Sequence, residues 1–389
     1  MKIAYFDNNA TTRIDDLVLE AMLPYLKEQY GNASSVQHKL GRQGSHAVEH
    51  ARIQVAELIH ANPKEITFTS GSTEAINTVL RGISKSYRTI GNRILTCGTE
   101  HKAVLTTCEQ LTKEGMAIDL LKVNGLGEID LQALEDAIGP ETVLVCLMAA
   151  NNETGVIHPL QEIAEICQRK GVLFFCDATQ WIGKLPLNVE ETPIDILCLS
   201  AHKMHGPKGI GALYIRRKSK PIQIPALISG GKQEHGLRGG TYPVHQIVGL
   251  GEAAHQAQQK FEIATLRDYF EAELLKAVEE SSIPTKGANR LPNTSNVLIK
   301  HVKTAELMTK LPQVAFSSGS ACVSGDRDPS HVLKAMGYSA EDAYCSMRFS
   351  FSKYTDREEV DSAIQQLKEA VAAIRAHSPI WEMYKDGLI

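Results

Sequence analysis

Between residues 45 and 215 the chain alternates short apolar runs with stretches whose apolar side chains recur every three or four positions. Val48, Val55, Leu58 and Ile59 fall on one helical face, and residues 66–69 then read as a strand. A helix from Thr73, a strand over 93–97 and a helix from about His101 follow. Strands over 143–148, 172–176, 194–199 and 211–215 continue the series, with a helix at about 160–169. Apolar strands separated by amphipathic helices predict an α/β fold with a largely parallel sheet covered on both faces. Ligands in such sheets sit beyond the carboxyl ends of the strands. After about residue 258 the pattern changes. Ile263, Leu266, Phe270, Leu274 and Val278 make one helical face, while 294–299 and 347–351 read as strands. Thr355-Asp356-Arg357-Glu358 predicts a capping box opening a helix striped by Val360, Ile364, Leu367 and Val371. This region predicts a smaller α+β domain.

A chain of 389 residues is too long for one small core, so two domains are expected. Its 43% hydrophobic and 22% charged residues are ordinary for a soluble globular protein. The formal net charge of −4 supplies no field for nucleic acid or an acidic membrane surface, and neither is expected as a direct partner. The segment from Met1 to Thr12 has no signal-peptide apolar region, and no apolar stretch approaches the length of a membrane span. The expected location is the cytoplasm. Eight cysteines are scattered without Cys-x-x-Cys spacing, so neither a metal site nor a redox dithiol is expected. Cys146, Cys176 and Cys198 lie inside apolar runs, where a cysteine serves as a small buried hydrophobe.

The polar motifs fall where these strands end. Asp177-Ala178-Thr179-Gln180 and Ser200-Ala201-His202-Lys203 each follow an apolar run. Either motif alone reads more readily as a helix cap or a solvated loop lysine. Together they put a carboxylate and an amine at the ends of successive buried strands. That pair suits pyridoxal phosphate, with lysine forming the Schiff base and aspartate keeping the ring nitrogen protonated. Thr69-Ser70-Gly71-Ser72-Thr73-Glu74 joins a strand to a helix and offers free N–H groups and hydroxyls to a phosphate. By itself it is as well explained as an ordinary capped turn. Gly206-Pro207-Lys208-Gly209-Ile210-Gly211 reads as a tight turn with no ligand contact. His101 stands at the same sheet edge as the candidate cofactor residues. Cys322 lies in the small-residue loop Ser317-Ser318-Gly319-Ser320-Ala321-Cys322-Val323-Ser324-Gly325-Asp326, whose composition predicts exposure and mobility. From composition alone it reads equally as an incidental surface thiol.

With these motifs in hand, the chain resembles the NifS/IscS-type cysteine desulfurases, a group of class V aminotransferases with the type I fold of pyridoxal-phosphate enzymes. The likeness runs from Tyr5-Phe6-Asp7-Asn8-Asn9-Ala10-Thr11-Thr12 to Trp381-Glu382-Met383-Tyr384. It is carried by Gly31-Asn32-Ala33-Ser34-Ser35, Thr99-Glu100-His101-Lys102-Ala103-Val104, Asn151-Asn152-Glu153-Thr154-Gly155, Ser200-Ala201-His202-Lys203 and the Cys322 loop. The resemblance implies a large domain over 15–258, its mostly parallel seven-stranded sheet set between helices. A small domain over 1–14 and 259–389 would carry the mobile loop at about 317–329.

It also implies roles. Lys203 would hold the cofactor as a Schiff base and move the substrate's α-proton, Asp177 would pair with the ring nitrogen, and Gln180 would contact the ring phenolate oxygen. Thr73, Ser200 and His202 would bind the phosphate, joined by Thr241 from a partner subunit, which implies a homodimer. His101 would stack on the ring and transfer protons, while Asn152 and Arg348 would hold the carboxylate of L-cysteine. The Cys322 thiolate would take the substrate's sulfur as a persulfide, releasing L-alanine, and pass it to an acceptor protein.

Two positions depart from the family pattern. Lys232 stands where glycine is more usual, and Gly239 replaces a common serine. Housekeeping members carry further residues beyond the segment that here ends at Gly387-Leu388-Ile389. Thiolation of RNA, DNA or a cofactor therefore stands beside iron–sulfur cluster assembly as the expected pathway. The same fold could also serve a selenocysteine lyase, an aminotransferase or a relay subunit that no longer turns over. Cys322 speaks against the aminotransferase. The joint presence of Lys203, His101, Arg348 and Cys322 speaks against the relay subunit.

Overall fold

The computed structural model describes residues 3–259, 262–318 and 328–388. Its centre is a seven-stranded sheet in the order Ile66–Thr69, Gly211–Ile215, Ile196–Ser200, Leu173–Asp177, Thr142–Met148, Arg93–Cys97, Ala117–Leu121. The apolar runs are continuous because both faces are covered. Val145, Leu147, Phe174, Cys176, Leu197 and Leu199 pack on the side of the helices Lys39–Leu58, Leu160–Lys170 and Val244–Gln256. Leu144, Cys146, Phe175, Ile196 and Cys198 face the helices Ser72–Ser86 and Lys102–Lys113. Alternate residues of one strand thus enter two different cores, as a strand's period of two requires.

The parallel expectation holds except at Gly211–Ile215, which runs antiparallel to both neighbours. Residues 201–210 contain one short 3-10 turn and no crossover helix, and a parallel return needs a connection of a dozen residues or more. The edge strand Ala117–Leu121 was not visible as an apolar run, since Asp119 interrupts it and Leu120 is exposed. Two strands end one residue later than expected, so that Asp177 and Ser200 are themselves the last strand residues.

A second, four-stranded sheet pairs Ser317–Ser318, Ser346–Ser350, Thr294–Ile299 and Ser281–Ser282 antiparallel. It packs with the helices Ile263–Ala277 and Arg357–Arg375 around Phe6, Phe270, Phe316, Phe349 and Phe351. The chain start belongs here too, with Ala4–Tyr5 parallel to Val314–Ala315. The helix Arg357–Arg375 is capped by Asp356 and Glu359, one residue beyond the expected box. Thr355 is otherwise engaged, its hydroxyl accepting the Ser352 N–H at 3.0 Å.

Candidate active site

A cleft of about 770 Å³ opens where the carboxyl ends of the large sheet meet the smaller sheet. Lys203 reaches it through the single turn Ala201–Lys203 that follows strand Ile196–Ser200. The turn is fastened to the chain start: the His202 carbonyl accepts from the Thr12 N–H (2.9 Å) and hydroxyl (3.1 Å). The Lys203 Nζ donates to the carbonyls of Asn9 and Ala10, both at 2.7 Å. Burial, and then the Arg348 charge, lower the Lys203 ammonium from 10.5 to about 8. At pH 7 about a tenth of such amines are neutral, against fewer than about one in a thousand for an ordinary lysine.

Asp177 is gripped through one oxygen. Its Oδ1 accepts the Thr179 N–H (3.0 Å), the Thr179 hydroxyl and the Cys198 thiol (3.5 Å). Among the described residues all three donors use Oδ1, so Oδ2 is the oxygen left for a ligand's N–H. Thr179 in turn meets the Ser72 hydroxyl at 2.6 Å, tying this strand end to the start of helix Ser72–Ser86. That helix begins after Gly71 at φ 145°, a conformation residues with side chains rarely adopt. The turn Ser70–Thr73 lines the cleft at the positive end of the helix, where the Ser72 and Thr73 N–H groups precede the helical ladder.

His101 caps the helix Lys102–Lys113, its Nδ1 accepting the Ala103 N–H at 3.1 Å. Burial pushes its imidazole below the ordinary value, outweighing the opposite pull of Asp177. A neutral ring whose Nδ1 accepts carries its proton on Nε2. His202 also stays neutral, held to about 4 by burial, with Nδ1 3.2 Å from the Thr11 hydroxyl. Gln180 is oriented from both ends. Its Nε2 donates to the Asn9 carbonyl (3.0 Å) and its Oε1 accepts from Lys184 (2.6 Å). A second N–H of that amide remains for the cleft.

Arg348 projects from the smaller sheet. Its Nη2 donates to Asp7 (2.6 Å) and its Nη1 to the Asn152 carbonyl (2.9 Å), while the buried Nε has no partner among the described residues. Lys203, His101, Thr73, Asp177, Gln180, Ser200, His202, Asn152 and Arg348 therefore line one cleft. Thr241 does not line it; it is exposed in the segment before helix Val244–Gln256. Cys322 lies outside the described residues, within 319–327. The chain leaves for that segment at Ser317 and Ser318, which line the cleft. After it, Ser330 donates to Glu153 (2.5 Å), another cleft residue.

Sequence reasoning missed several residues of this site. Asp7, Asn9 and Lys184 received no role, and Lys208 and Gly209, read as a plain turn, line the cleft. The available signal was the polar run Asp7–Thr12 directly after a strand.

A depressed lysine, a half-satisfied buried carboxylate, a neutral imidazole and an anion turn on one cleft form a donor set that fits pyridoxal phosphate. The profile of the family "Aminotransferase class-V" matches residues 4–363. A cysteine desulfurase, IscS of Histophilus somni strain 129Pt, is 44% identical, the alignment covering 99% of this chain and 96% of that one. The chain belongs to the class-V aminotransferases, among the cysteine desulfurases. Solved relatives of this desulfurase family include a NifS-like protein, 37% identical with a TM-score of 0.89, covering 96% of this chain and all of that one. Another is SspA in complex with cysteine, 34% identical with a TM-score of 0.81, covering 90% of this chain and 99% of that one. Desulfurases of this class depend on pyridoxal phosphate, and the residues around the cleft suit it.

Proposed function

We propose that this chain removes sulfur from L-cysteine onto Cys322 and releases L-alanine. In the balanced reaction the substrate's C–S bond breaks, an S–S bond to Cys322 forms, and the β-carbon takes up the electron pair and a proton. No outside oxidant is needed. Pyridoxal phosphate, when bound, supplies the electron sink that acidifies the α-proton and opens the C–S bond to attack at sulfur. Lys203 holds the cofactor and moves the α-proton, and Asp177 Oδ2 keeps the ring nitrogen protonated. Gln180 donates to the phenolate oxygen. Thr73, Ser200 and His202 hold the phosphate with Thr241 of a second subunit. Arg348 and Asn152 hold the substrate carboxylate, and His101 exchanges a proton through Nε2.

The observation that carries this reading is the convergence of Lys203, Asp177, His101 and Arg348 on one cleft, at whose wall the Cys322 segment begins. The seven described cysteines support it from the other side. All are buried. Burial pushes their thiols up, to about 12 for Cys108 and Cys167, so none of them offers a thiolate. SspA's complex with cysteine supports the same substrate.

A homodimer is part of the proposal. It is supported by exposed Leu17, Leu19, Leu23 and Leu26 on helix Asp16–Lys27, with Tyr30 and Val36 beyond it. We read 15–258 as the cofactor-holding domain and 1–14 with 259–389 as the domain carrying Cys322. The sulfur acceptor is a protein of iron–sulfur assembly or of a thiolation pathway, met in the cytoplasm. Among the described residues no helix is long and apolar enough to cross a membrane.

The test is to incubate the cofactor-loaded protein with L-cysteine and reductant, measuring alanine and sulfide, beside Cys322→Ala. Equal alanine and sulfide are expected, both lost in the variant while its cofactor absorption stays. Absence of alanine from the loaded wild-type protein would overturn the proposal.

A further inference from the structure

The first turn of helix Ser72–Ser86 contains a group that works against a phosphate. Glu74 lines the cleft with its side chain only 7% exposed, and its Oε2 accepts the Ser70 N–H at 2.8 Å. A buried carboxylate thus sits at the positive helix end that a dianion would use, where like charges repel strongly. Among the described residues one cation pairs with it. Arg238 donates from Nε to Oε1 at 3.1 Å and from Nη2 to Oε2 at 3.5 Å. Burial pushes the Glu74 carboxyl up, but the hydrogen bonds from Ser70 and Arg238 bring it below its ordinary value, so it stays ionised.

Arg238 is itself held in place. Four residues earlier the buried Glu234 forms a two-pronged ion pair with Arg52 (2.7 and 2.8 Å) and accepts the Phe68 N–H (2.8 Å). Glu234 and His235 adopt φ values of 48° and 54°, unusual for residues with side chains. The Glu234 N–H donates to the Tyr242 hydroxyl (3.0 Å), and the Gly239 N–H to the Ile228 carbonyl (2.9 Å). A Cβ at Gly239 would come within 2.8 Å of the Gly230 nitrogen, which accounts for glycine there in place of the family's serine.

We propose that Arg238 is a positioning residue for the cofactor's phosphate: by neutralising Glu74 it lets the Ser70–Thr73 turn accept a dianion. This rests on the reading of the cleft as a pyridoxal-phosphate site. The segment from Glu234 to Arg238 then has a task in its own subunit, distinct from the role of Thr241 toward a partner.

The experiment measures dissociation constants of pyridoxal phosphate and of phosphate-free pyridoxal from the Schiff-base absorption. It compares wild type, Glu74→Gln, Arg238→Met and the double variant. Arg238→Met is expected to weaken pyridoxal phosphate on the order of tenfold or more, and pyridoxal by less than about threefold, because only the phosphate meets the unpaired carboxylate. In the double variant pyridoxal phosphate binds as it does to Glu74→Gln. Unchanged binding in Arg238→Met overturns the proposal. So does an equal loss for pyridoxal, or a double variant clearly weaker than Glu74→Gln. Should Arg238→Met fail to fold, the double variant against Glu74→Gln decides alone. A wild-type protein with no absorption band that Lys203→Ala abolishes would instead refute the cofactor reading itself.

Discussion

Lys203 owes its chemistry to its surroundings. Its depression to about 8 comes from burial first and from Arg348 second. The neutral amine is the form that attacks an aldehyde, so cofactor loading of the apoprotein is expected to speed up with pH and level off above about 8. Following the Schiff-base absorption after mixing checks this; a rate still climbing steeply toward pH 10 would assign Lys203 an ordinary value. Arg348 shows a second kind of tuning, since Asp7 and the Asn152 carbonyl fix its plane. Arg348→Lys keeps the charge but loses the planar two-pronged grip. KM for L-cysteine is expected to rise on the order of tenfold or more, with a smaller change in kcat. Lys203 and Asp177 were legible because each follows an apolar run that announces a strand end. Asp7 and Asn9 were not. They enter the cleft from the chain start, where the polar run Asp7–Thr12 marks an unusual segment but does not say which distant residues it meets.

Among the elements, the strands were read from continuous apolar runs, which both-face burial explains. Their parallel direction was read as well, except at one strand. Residues 211–215 look like every other buried strand, and only the brevity of the preceding turn makes them antiparallel. The pairing of Arg52 on helix Lys39–Leu58 with Glu234 was equally hidden, because a lone arginine on a helix reads as surface. Both side chains are nearly fully buried, and removing one partner strands the other's charge. Arg52→Met is therefore expected to cost about 3–5 kcal/mol of unfolding free energy, measured by chemical denaturation. A loss below about 1 kcal/mol would mean that the Phe68 N–H alone satisfies Glu234.

For the molecule as a whole, acid is the weak side. His158 is fully buried, with neither ring nitrogen partnered among the described residues, and burial holds it at about 4. Its folded value lies below the unfolded 6.5, so the unfolded chain binds the proton more tightly as pH falls. Stability is then full above about 6.5 and is lost on descending toward 4, by about 3 kcal/mol from this residue. His202 and His205, also held to about 4, act in the same direction. Denaturation midpoints of the apoprotein should fall between pH 6.5 and 4, and His158→Leu should flatten that slope. An unchanged slope would assign the acid loss to other groups.

The joining of Asp7 to Arg348, 341 residues along the chain, has a consequence for biosynthesis. A ribosome adds roughly 5–20 residues per second, and non-local contacts are slow to form. The first strand of the large sheet waits for residues 211–215, and the floor of the cleft waits until nearly the whole polypeptide has emerged. Until then the groups proposed for the cofactor, all before residue 259, lack the Arg348 side of the cleft that would meet the substrate's carboxylate. A chain cut off before Arg348 would therefore keep the proposed cofactor residues and still lack its grip on the amino acid.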